Sequence, residues 1–326
     1  MKAHELGIRV GALEPGPRDS IADVAGVRVG HATVVHGDAV RTGVTVVVPP
    51  ELPLFAGAHR LNGNGELTGL EWVRESGLLT TPIAITNTFS VGVVRDAIAA
   101  RSEADWSLPV VGETYDGFLN DARGQHVRAE HVDAAFRAAS DDVAEGNVGG
   151  GTGMICHGFK GGIGTASRVV GDYTVGVLVQ ANHGRRERFR VNGVPVGEHI
   201  ETPPPEHEGA GSIIGIVATD APLLPGQCER LAQRAGLGVA RTGGAGEDSS
   251  GDFFFAFATG NRDLDGADVI GVQMLANERM NPLFYAAIDA TEEAILNALL
   301  AAETMTGRAG AVHALDARSL LNALGL

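Results

Sequence analysis

Cysteine is scarce in this chain, and its two cysteines lie far apart. Cys156 and Cys228 form no C-x-x-C pair. The sequence therefore gives no indication of a disulfide scaffold or a cysteine-based zinc motif, and we expect two reduced, partly buried thiols. The 11 histidines form no H-E-x-x-H or H-x-H pattern, so the sequence carries no recognised motif for a catalytic metal.

Basic residues are also few, and long hydrophobic runs are missing. Lys and Arg total 25 against 40 Asp and Glu, which gives a formal charge of −15. An acidic chain repels phosphates unless its bases cluster, and the densest basic run, 185–188, is short; we therefore expect no nucleic-acid partner. No apolar run approaches the roughly 20 residues that span a bilayer, so no membrane association is expected. The first seven residues lack the apolar stretch of a signal peptide, which makes a cytoplasmic location the default expectation.

Nucleotide-binding motifs are incomplete, although glycine is abundant. The stretch around Gly149 is not followed by the Lys-Ser/Thr of a phosphate loop, and Gly63-Asn64-Gly65 has Thr68 where a dinucleotide fingerprint needs its third glycine. The 46 glycines in 326 residues are about twice the usual share of about 7%. We expect most of them to permit close packing and tight turns.

Strand and helix patterns alternate along the whole chain. The length is compatible with one or two domains, and we favour a single domain over 1–326. The interleaved order predicts a layered α/β protein whose sheets are covered by helices. Strands are predicted over 27–35, 42–48, 82–89, 110–117 (running into a turn), 175–181, 212–219 and 252–258, and helices over 67–76, 91–101, 128–139, 225–237 and 280–305.

A polar, proline-rich segment over 201–211 interrupts this alternation and leads directly into the apolar strand that begins at Ser212. No G-x-S-x-G elbow is present. Cleavage of the Gly211–Ser212 bond would leave Ser212 with a free α-amine, whose ordinary pKa of about 7.7–8.0 suits a general base. Gly211 favours such a cleavage because it has no side chain to block an approach to its carbonyl.

An ordered set of short motifs is similar to one family of self-cleaving serine peptidases, that of the L-aminopeptidase D-Ala-esterase/amidase and the β-peptidyl aminopeptidases. The motifs are VVGETYDG at 110–117, GNVG at 146–149, KGGIGTASR at 160–168, VLVQAN at 177–182, GSII at 211–214, ATDAPL at 218–223 and SGD at 250–252. The resemblance implies an αββα-type sandwich that resembles N-terminal-nucleophile hydrolases but has a different connectivity. It also implies an α chain over 1–211 and a β chain over 212–326.

The resemblance assigns roles to individual residues. Ser212 matches the nucleophile, Asn182 matches the residue that stabilises the oxyanion, and Ser250 and Asp252 match the family's Ser-x-Glu pair, with Asp in place of Glu. Tyr115 matches a tyrosine that lines the site. Taken without the family, these residues are also compatible with a loop-capping Asn, a polar turn and a half-buried Tyr.

The same resemblance implies a small peptide, amide or ester substrate with a free amine. Glu113 and Asp116 are our candidates for binding that amine, because carboxylates suit a cationic group. No metal or organic cofactor is required, and the family implies a homo-oligomer of αβ units, with a tetramer favoured. Two alternatives stay open: an acyltransferase that uses the same serine, and a non-catalytic, glycine-rich α/β binding protein.

Overall fold

The structure is a computed structural model that describes residues 1–205 and 211–326, so residues 206–210 of the predicted loop over 201–211 lie outside the described residues. The strands are β1 Arg28–His36, β2 Val40–Val48, β3 Leu54–Gly63, β4 Leu78–Leu79, β5 Ile83–Asn87, β6 Val110–Thr114, β7 Ile155–Cys156, β8 Phe159–Lys160, β9 Gly162–Val170, β10 Tyr173–Asn182, β11 Ser212–Thr219, β12 Gly251–Ala258, β13 Met305–Gly307 and β14 Gly310–Val312. The α-helices are α1 Leu70–Ser76, α2 Val91–Arg101, α3 Ala129–Arg137, α4 Pro225–Arg241, α5 Asn281–Ala301 and α6 Ala317–Leu324.

Two large sheets face each other between layers of helices. One sheet has the order β1-β2-β5-β6 and the other has the order β4-β3-β12-β11-β10-β9. Apolar side chains from both sheets, among them Val47 and Ile85 from one and Leu178 and Ile214 from the other, form a shared buried core. Helices α2 and α3 cover the outer face of the first sheet, and α4 and α5 cover that of the second. The predicted layered α/β architecture is confirmed as an αββα sandwich.

Two long strands of the larger sheet, β3 and β9, were not predicted, because their glycines and alanines hide the β pattern; the two-residue strand β4 was not predicted either. The glycine-dense run at 160–168 is mainly β9, packed against α5. A Cβ on Gly164 would lie 1.9 Å from the carbonyl oxygen of Ala294 in that helix. Glycine is therefore required for the helix to approach the strand, as the expectation of close packing implied.

Two predicted helix ends are wrong. Helix α4 does not stop at Leu237 but continues through Gly238 to Arg241. A Cβ on Gly238 would lie 2.6 Å from the Ile288 carbonyl oxygen, so this glycine allows α5 to pack closely rather than ending α4. Helix α5 ends at Ala301, and the last residue of the predicted helix, Met305, instead begins β13.

The remaining predicted elements are present with shifts of a few residues at their ends. The strand predicted over 82–89 is shorter, since residues 88–90 form a 3-10 helix. Within the described residues, no helix is long and apolar enough to cross a membrane.

Candidate active site

The register of the larger sheet brings four strand ends to one place. Strand β10 runs antiparallel to β11 and pairs its last residue, Asn182, with Ser212. Strand β12 runs parallel to β11, so both strands begin at the same end of the sheet, with Asp252 opposite Ile213. Strand β3 runs antiparallel to β12 and brings Asn62 opposite Asp252. The sheet therefore gathers residues that are distant in sequence around the first residue of β11.

A backbone group holds the Ser212 hydroxyl at the end of the sheet where β11 begins. The N–H of Gly251 donates to Ser212 Oγ over 3.0 Å. Paired residues of antiparallel strands project to the same face, so Ser212 and Asn182 share one face of the sheet. That face meets the four-stranded sheet, because Ile214, two residues on, belongs to the core between the sheets.

Ser250 and Asp252 form a hydrogen-bonded pair next to Gly251. Ser250 Oγ donates to Asp252 Oδ1 over 2.6 Å, and Asn62 Nδ2 donates to Asp252 Oδ2 over 3.2 Å. Burial raises the pKa of the Asp252 carboxyl, while hydrogen bonds from Ser250, the Ile213 backbone and Asn62 lower it. The shorter Asp side chain therefore still reaches Ser250 and the backbone next to Ser212.

Asn182 is fixed in one orientation by two hydrogen bonds. Its Oδ1 accepts the N–H of Ile155 over 2.8 Å, and its Nδ2 donates to the carbonyl of Tyr115 over 3.1 Å. An amide nitrogen carries two hydrogens. One is used by Tyr115, which leaves the second available to another acceptor.

The loop that carries Ile155 is held by a buried lysine that the sequence analysis did not single out. Lys160 Nζ donates to the carbonyls of Gly151, Met154 and Gly161 over 3.2, 2.9 and 2.8 Å. Burial lowers the pKa of Lys160 to about 7. These three bonds fix the backbone around Ile155 and, through it, the Asn182 amide.

Glu113 lies on the facing sheet and close to Gly251. Its Oε1 accepts the N–H of Glu66 over 3.0 Å, and its Oε2 accepts the Thr88 hydroxyl. The side chain is 4% exposed, and burial raises its pKa, while the bonds from Thr88 and Glu66 lower it. A Cβ placed on Gly65 would lie 2.9 Å from Glu113 Oε1 and 3.1 Å from Gly251 Cα, so only a glycine separates this carboxylate from the residue that holds Ser212.

Asp116 and Tyr115 follow β6 and are placed differently from each other. Asp116 is 1% exposed, and its carboxylate oxygens have no hydrogen bond of good geometry within the described residues. Burial raises its pKa to about 6, although nearby Thr42 and Asn120 oppose this. The Tyr115 ring is 51% exposed and lies over Gly117. Tyr115 thus contacts the site through its carbonyl, while its ring forms part of the surface.

Gly211 is required for a reason that the sequence analysis did not give. A Cβ at this position would lie 1.5 Å from the carbonyl oxygen of Asn182. Its backbone is outside the left-handed region, so the chain is not strained there. Glycine therefore lets the residue before Ser212 pass directly against the end of β10.

Comparison with known proteins places the chain among serine aminopeptidases. The profile of peptidase family S58 matches residues 19–313. The beta-peptidyl aminopeptidase BapA of Sphingosinicella microcystinivorans is 47% identical over 345 residues, which cover 94% of this chain and 87% of that protein.

Two solved structures share the whole fold. The beta-aminopeptidase of a Burkholderia species superposes with a TM-score of 0.95 at 55% identity, over 100% of this chain and 98% of that chain. The L-aminopeptidase D-Ala-esterase/amidase from Ochrobactrum anthropi superposes with a TM-score of 0.93 at 41% identity, over 99% and 98%. That structure is described as a prototype for the serine aminopeptidases and as a new variant among the N-terminal-nucleophile hydrolase folds. The resemblance seen in the sequence is confirmed: the chain belongs to peptidase family S58 and is an aminopeptidase or amidase with this variant of the fold.

Proposed function

We propose that the chain is one domain that cleaves its own Gly211–Ser212 bond and then uses the new N-terminal serine to remove N-terminal residues from peptides, amides or esters. One observation carries the proposal. The Ser212 hydroxyl lies where β11 begins, held by the Gly251 N–H, with Asn182 on one neighbouring strand and the Ser250–Asp252 pair on the other. This arrangement supplies a nucleophile, an oxyanion donor and an acid around one peptide bond.

In self-cleavage, Ser212 Oγ attacks the carbonyl carbon of Gly211 and gives up its proton. The C–N bond then breaks, and the Ser212 nitrogen leaves with a proton as an amine. Water hydrolyses the resulting ester, which frees a carboxylate on Gly211 and restores the hydroxyl. The products are an α chain over 1–211 and a β chain over 212–326.

In turnover, the free amine of Ser212 accepts the proton of its own hydroxyl as Oγ attacks the substrate carbonyl. The second amide hydrogen of Asn182 donates to the oxyanion, and a donor of this kind contributes about 2.7–4 kcal/mol. The leaving amine takes the proton, and water then releases the acyl group from Ser212. Asp252 stabilises the ammonium form of Ser212 by its negative charge, directly and through Ser250.

The substrate class follows from the buried carboxylates of β6 and the turn after it. Glu113 is separated from Gly251 only by Gly65, so a substrate acylating Ser212 brings its own free amine toward that carboxylate. Asp116 lies behind it and adds negative charge. The relatives named beta-peptidyl aminopeptidases extend the proposal to substrates whose N-terminal residue is a β-amino acid.

The test of substrate class is a comparison of alanine p-nitroanilide with its N-acetylated form. A site that binds a cationic amine next to Ser212 hydrolyses the free-amine substrate faster by at least about 10²-fold. Equal rates for the two substrates would contradict the proposal.

The acyltransferase alternative uses the same acyl-Ser212 ester and differs only in the acceptor. It is tested by adding a primary amine in excess and measuring whether acyl product replaces hydrolysis product. We favour hydrolysis because the family is a peptidase family. Family membership removes the non-catalytic alternative.

We also propose that αβ units associate, with a tetramer as the expected form. Exposed apolar side chains on the segment 269–274, including Val269, Val272 and Met274, offer a surface for self-association. Light scattering after size exclusion measures the number of units. Two free, buried cysteines agree with a cytoplasmic location, where thiols stay reduced.

A further inference from the structure

Three side chains with metal-binding atoms meet behind the strand end that carries Asn182. They are Cys156, His157 and His183, all buried, and each offers one ligand atom within 4.8 Å of the others. Successive side chains alternate along a strand, so His183 projects to the face opposite Asn182 and Ser212. Cys156 belongs to the core under the helices on that side. The cluster is therefore separate from the face that carries the hydrolytic hydroxyl.

The residue types and their spacing fit a zinc-class cation. One thiolate and two imidazoles form a common ligand set for Zn²⁺, with bonds of about 2.3 Å to sulfur and about 2.0–2.1 Å to nitrogen. A tetrahedral ion with these bonds separates sulfur from nitrogen by about 3.6 Å. Cys156 Sγ lies 3.8 Å from His183 Nδ1, so this pair needs only a small adjustment to hold one ion.

His183 has a polar atom that the protein leaves without a partner. Its Nε2 is buried and makes no hydrogen bond within the described residues. The two ring nitrogens point in different directions, so with the ring hydrogen on Nε2 it is Nδ1 that presents a lone pair toward Cys156 Sγ. Burial lowers the pKa of His183 well below its usual value, so the ring is neutral, which is the form that binds metals.

His157 is arranged in the way that metal-binding histidines usually are. Its Nδ1 lies 3.2 Å from the backbone carbonyl of Arg185. If that nitrogen carries the hydrogen, Nε2 presents a lone pair. The Thr242 hydroxyl, 3.4 Å from Nε2, cannot satisfy this lone pair well because it donates its hydrogen to the Val239 carbonyl over 2.8 Å. A carbonyl that fixes the tautomer of a ligating ring is a recurrent partner at metal sites.

A small cavity reaches one member of this cluster. His183 lines this cavity together with Gly211, Gly244, Ser250 and Asp252, so the cavity reaches the ring beside the Ser250–Asp252 pair. Burial raises the pKa of the Cys156 thiol to about 12, so the thiol carries its proton until a metal replaces it.

We propose that Cys156, His157 and His183 form a binding site for one zinc-class divalent cation, on the opposite face of the larger sheet from the Ser212 hydroxyl. On binding, the Cys156 S–H bond breaks, a sulfur–metal bond forms, and one proton is released to solvent. The metal joins the start of the 155–161 hairpin to the end of β10, which directly neighbours the Ile155–Asn182 hydrogen bond. Because the ion binds the folded chain, it also raises the unfolding temperature.

The first test uses Co²⁺ as the probe on chelator-treated, full-length protein under a non-thiol reductant. We expect one Co²⁺ per chain, a thiolate-to-cobalt charge-transfer band in the near ultraviolet, and release of about one proton per ion. The variant Cys156→Ser is expected to lose the band. The matched control Cys228→Ser, at a buried cysteine bonded to the Phe55 carbonyl, is expected to keep it.

A second measurement does not depend on variants that could misfold. X-ray absorption of the zinc-loaded wild-type protein is expected to show one sulfur at about 2.3 Å and nitrogen at about 2.0–2.1 Å. The variant His183→Gln is expected to weaken Zn²⁺ binding by at least about 10-fold. The proposal is overturned by a zinc shell without sulfur, by a cobalt band that survives Cys156→Ser, or by a wild-type chain that binds no ion.

Discussion

Two buried carboxylates, Asp252 and Glu113, lie on facing sheets and have similar surroundings. Each accepts one hydroxyl hydrogen, from Ser250 and Thr88 respectively. Burial raises the pKa of both carboxyls, and hydrogen bonds oppose the shift in both cases. The two carboxylates differ in their neighbours. Asp252 is hydrogen-bonded to the backbone of Ile213, the residue after Ser212, whereas Glu113 faces Gly251 across Gly65.

We propose that these different neighbours give the two carboxylates two different tasks. In the proposed mechanism, Asp252, next to Ser212, controls the basicity of the enzyme's own amine. A carboxylate one glycine away, on the opposite sheet, is placed for the amine of a substrate. A change at Asp252 should therefore alter the pH dependence of turnover, whereas a change at Glu113 should alter the preference for free-amine substrates.

The comparison depends first on Ser212 being the reacting group beside both carboxylates. Ser212→Ala removes the oxygen that both reactions need, so we expect an uncut chain and a loss of activity of at least about 10⁴-fold. Gel electrophoresis and substrate assays measure both effects. The control Ser249→Ala, at an exposed neighbour, is expected to process and turn over normally. An alanine variant that matures and hydrolyses substrate would place the nucleophile elsewhere, with Ser250 as the next candidate.

Asn182 is proposed to act on the oxyanion rather than on either amine, so its loss should affect both kinds of substrate equally. Asn182→Asp keeps the acceptor for the Ile155 N–H but loses the amide donor. We expect kcat to fall by about 10²–10³-fold for substrates with and without a free amine alike. Steady-state kinetics on processed protein check this, and a change confined to KM would count against the assigned role.

Glu113→Gln tests the substrate side of the comparison. Removing the buried charge that pairs with the substrate amine is expected to lower kcat/KM by about 10²-fold, or about 2.7 kcal/mol. The loss is expected for alanine p-nitroanilide and not for its N-acetylated form. Glu66→Gln is the matched control, because its side chain is exposed although its backbone binds Glu113. Equal losses of kcat/KM for both substrates would mean that Glu113 supports the structure of the site and does not bind the substrate amine.

Asp252→Asn tests the enzyme side and has the smallest expected effect on rate. An opposite charge nearby raises the pKa of an amine, so removing the charge lowers the pKa of the Ser212 amine. The amine acts as a base only when unprotonated, and activity therefore rises as pH passes its pKa. We expect the acid limb of kcat/KM to move to lower pH by about one unit and the maximal rate to fall about 10-fold.

The control for this experiment is Asp248→Asn, an exposed carboxylate close in sequence. Both proteins are compared with wild type after processing is complete, because the precursor has no free amine at Ser212. If the dependence of kcat/KM on pH is unchanged in Asp252→Asn, then Ser250-Gly251-Asp252 is only a turn before β12 and has no role in catalysis.

Sequence alone predicted the side chains of the site better than the groups that position them. The motif order placed Ser212, Asn182, Ser250 and Asp252 in one site, and the sheet register does bring them together. The backbone donors on Gly251 and Ile155 have no signal in a single sequence, because every non-proline residue carries an N–H.

The two long strands that were missed share a cause. Strand β3, which carries Asn62, and strand β9 were hidden by glycine and alanine, which are weak strand formers chosen here for close approach. The cluster of Cys156, His157 and His183 was missed because the packing of β7 against β10, rather than local spacing, brings its halves together.

The most direct test of the account is denaturing mass analysis of freshly purified, active protein. Self-cleavage at the strand start predicts two fragments, one ending at Gly211 and one beginning at Ser212, with masses that sum to the intact chain plus one water. An active preparation that consists of a single uncut chain would contradict the account.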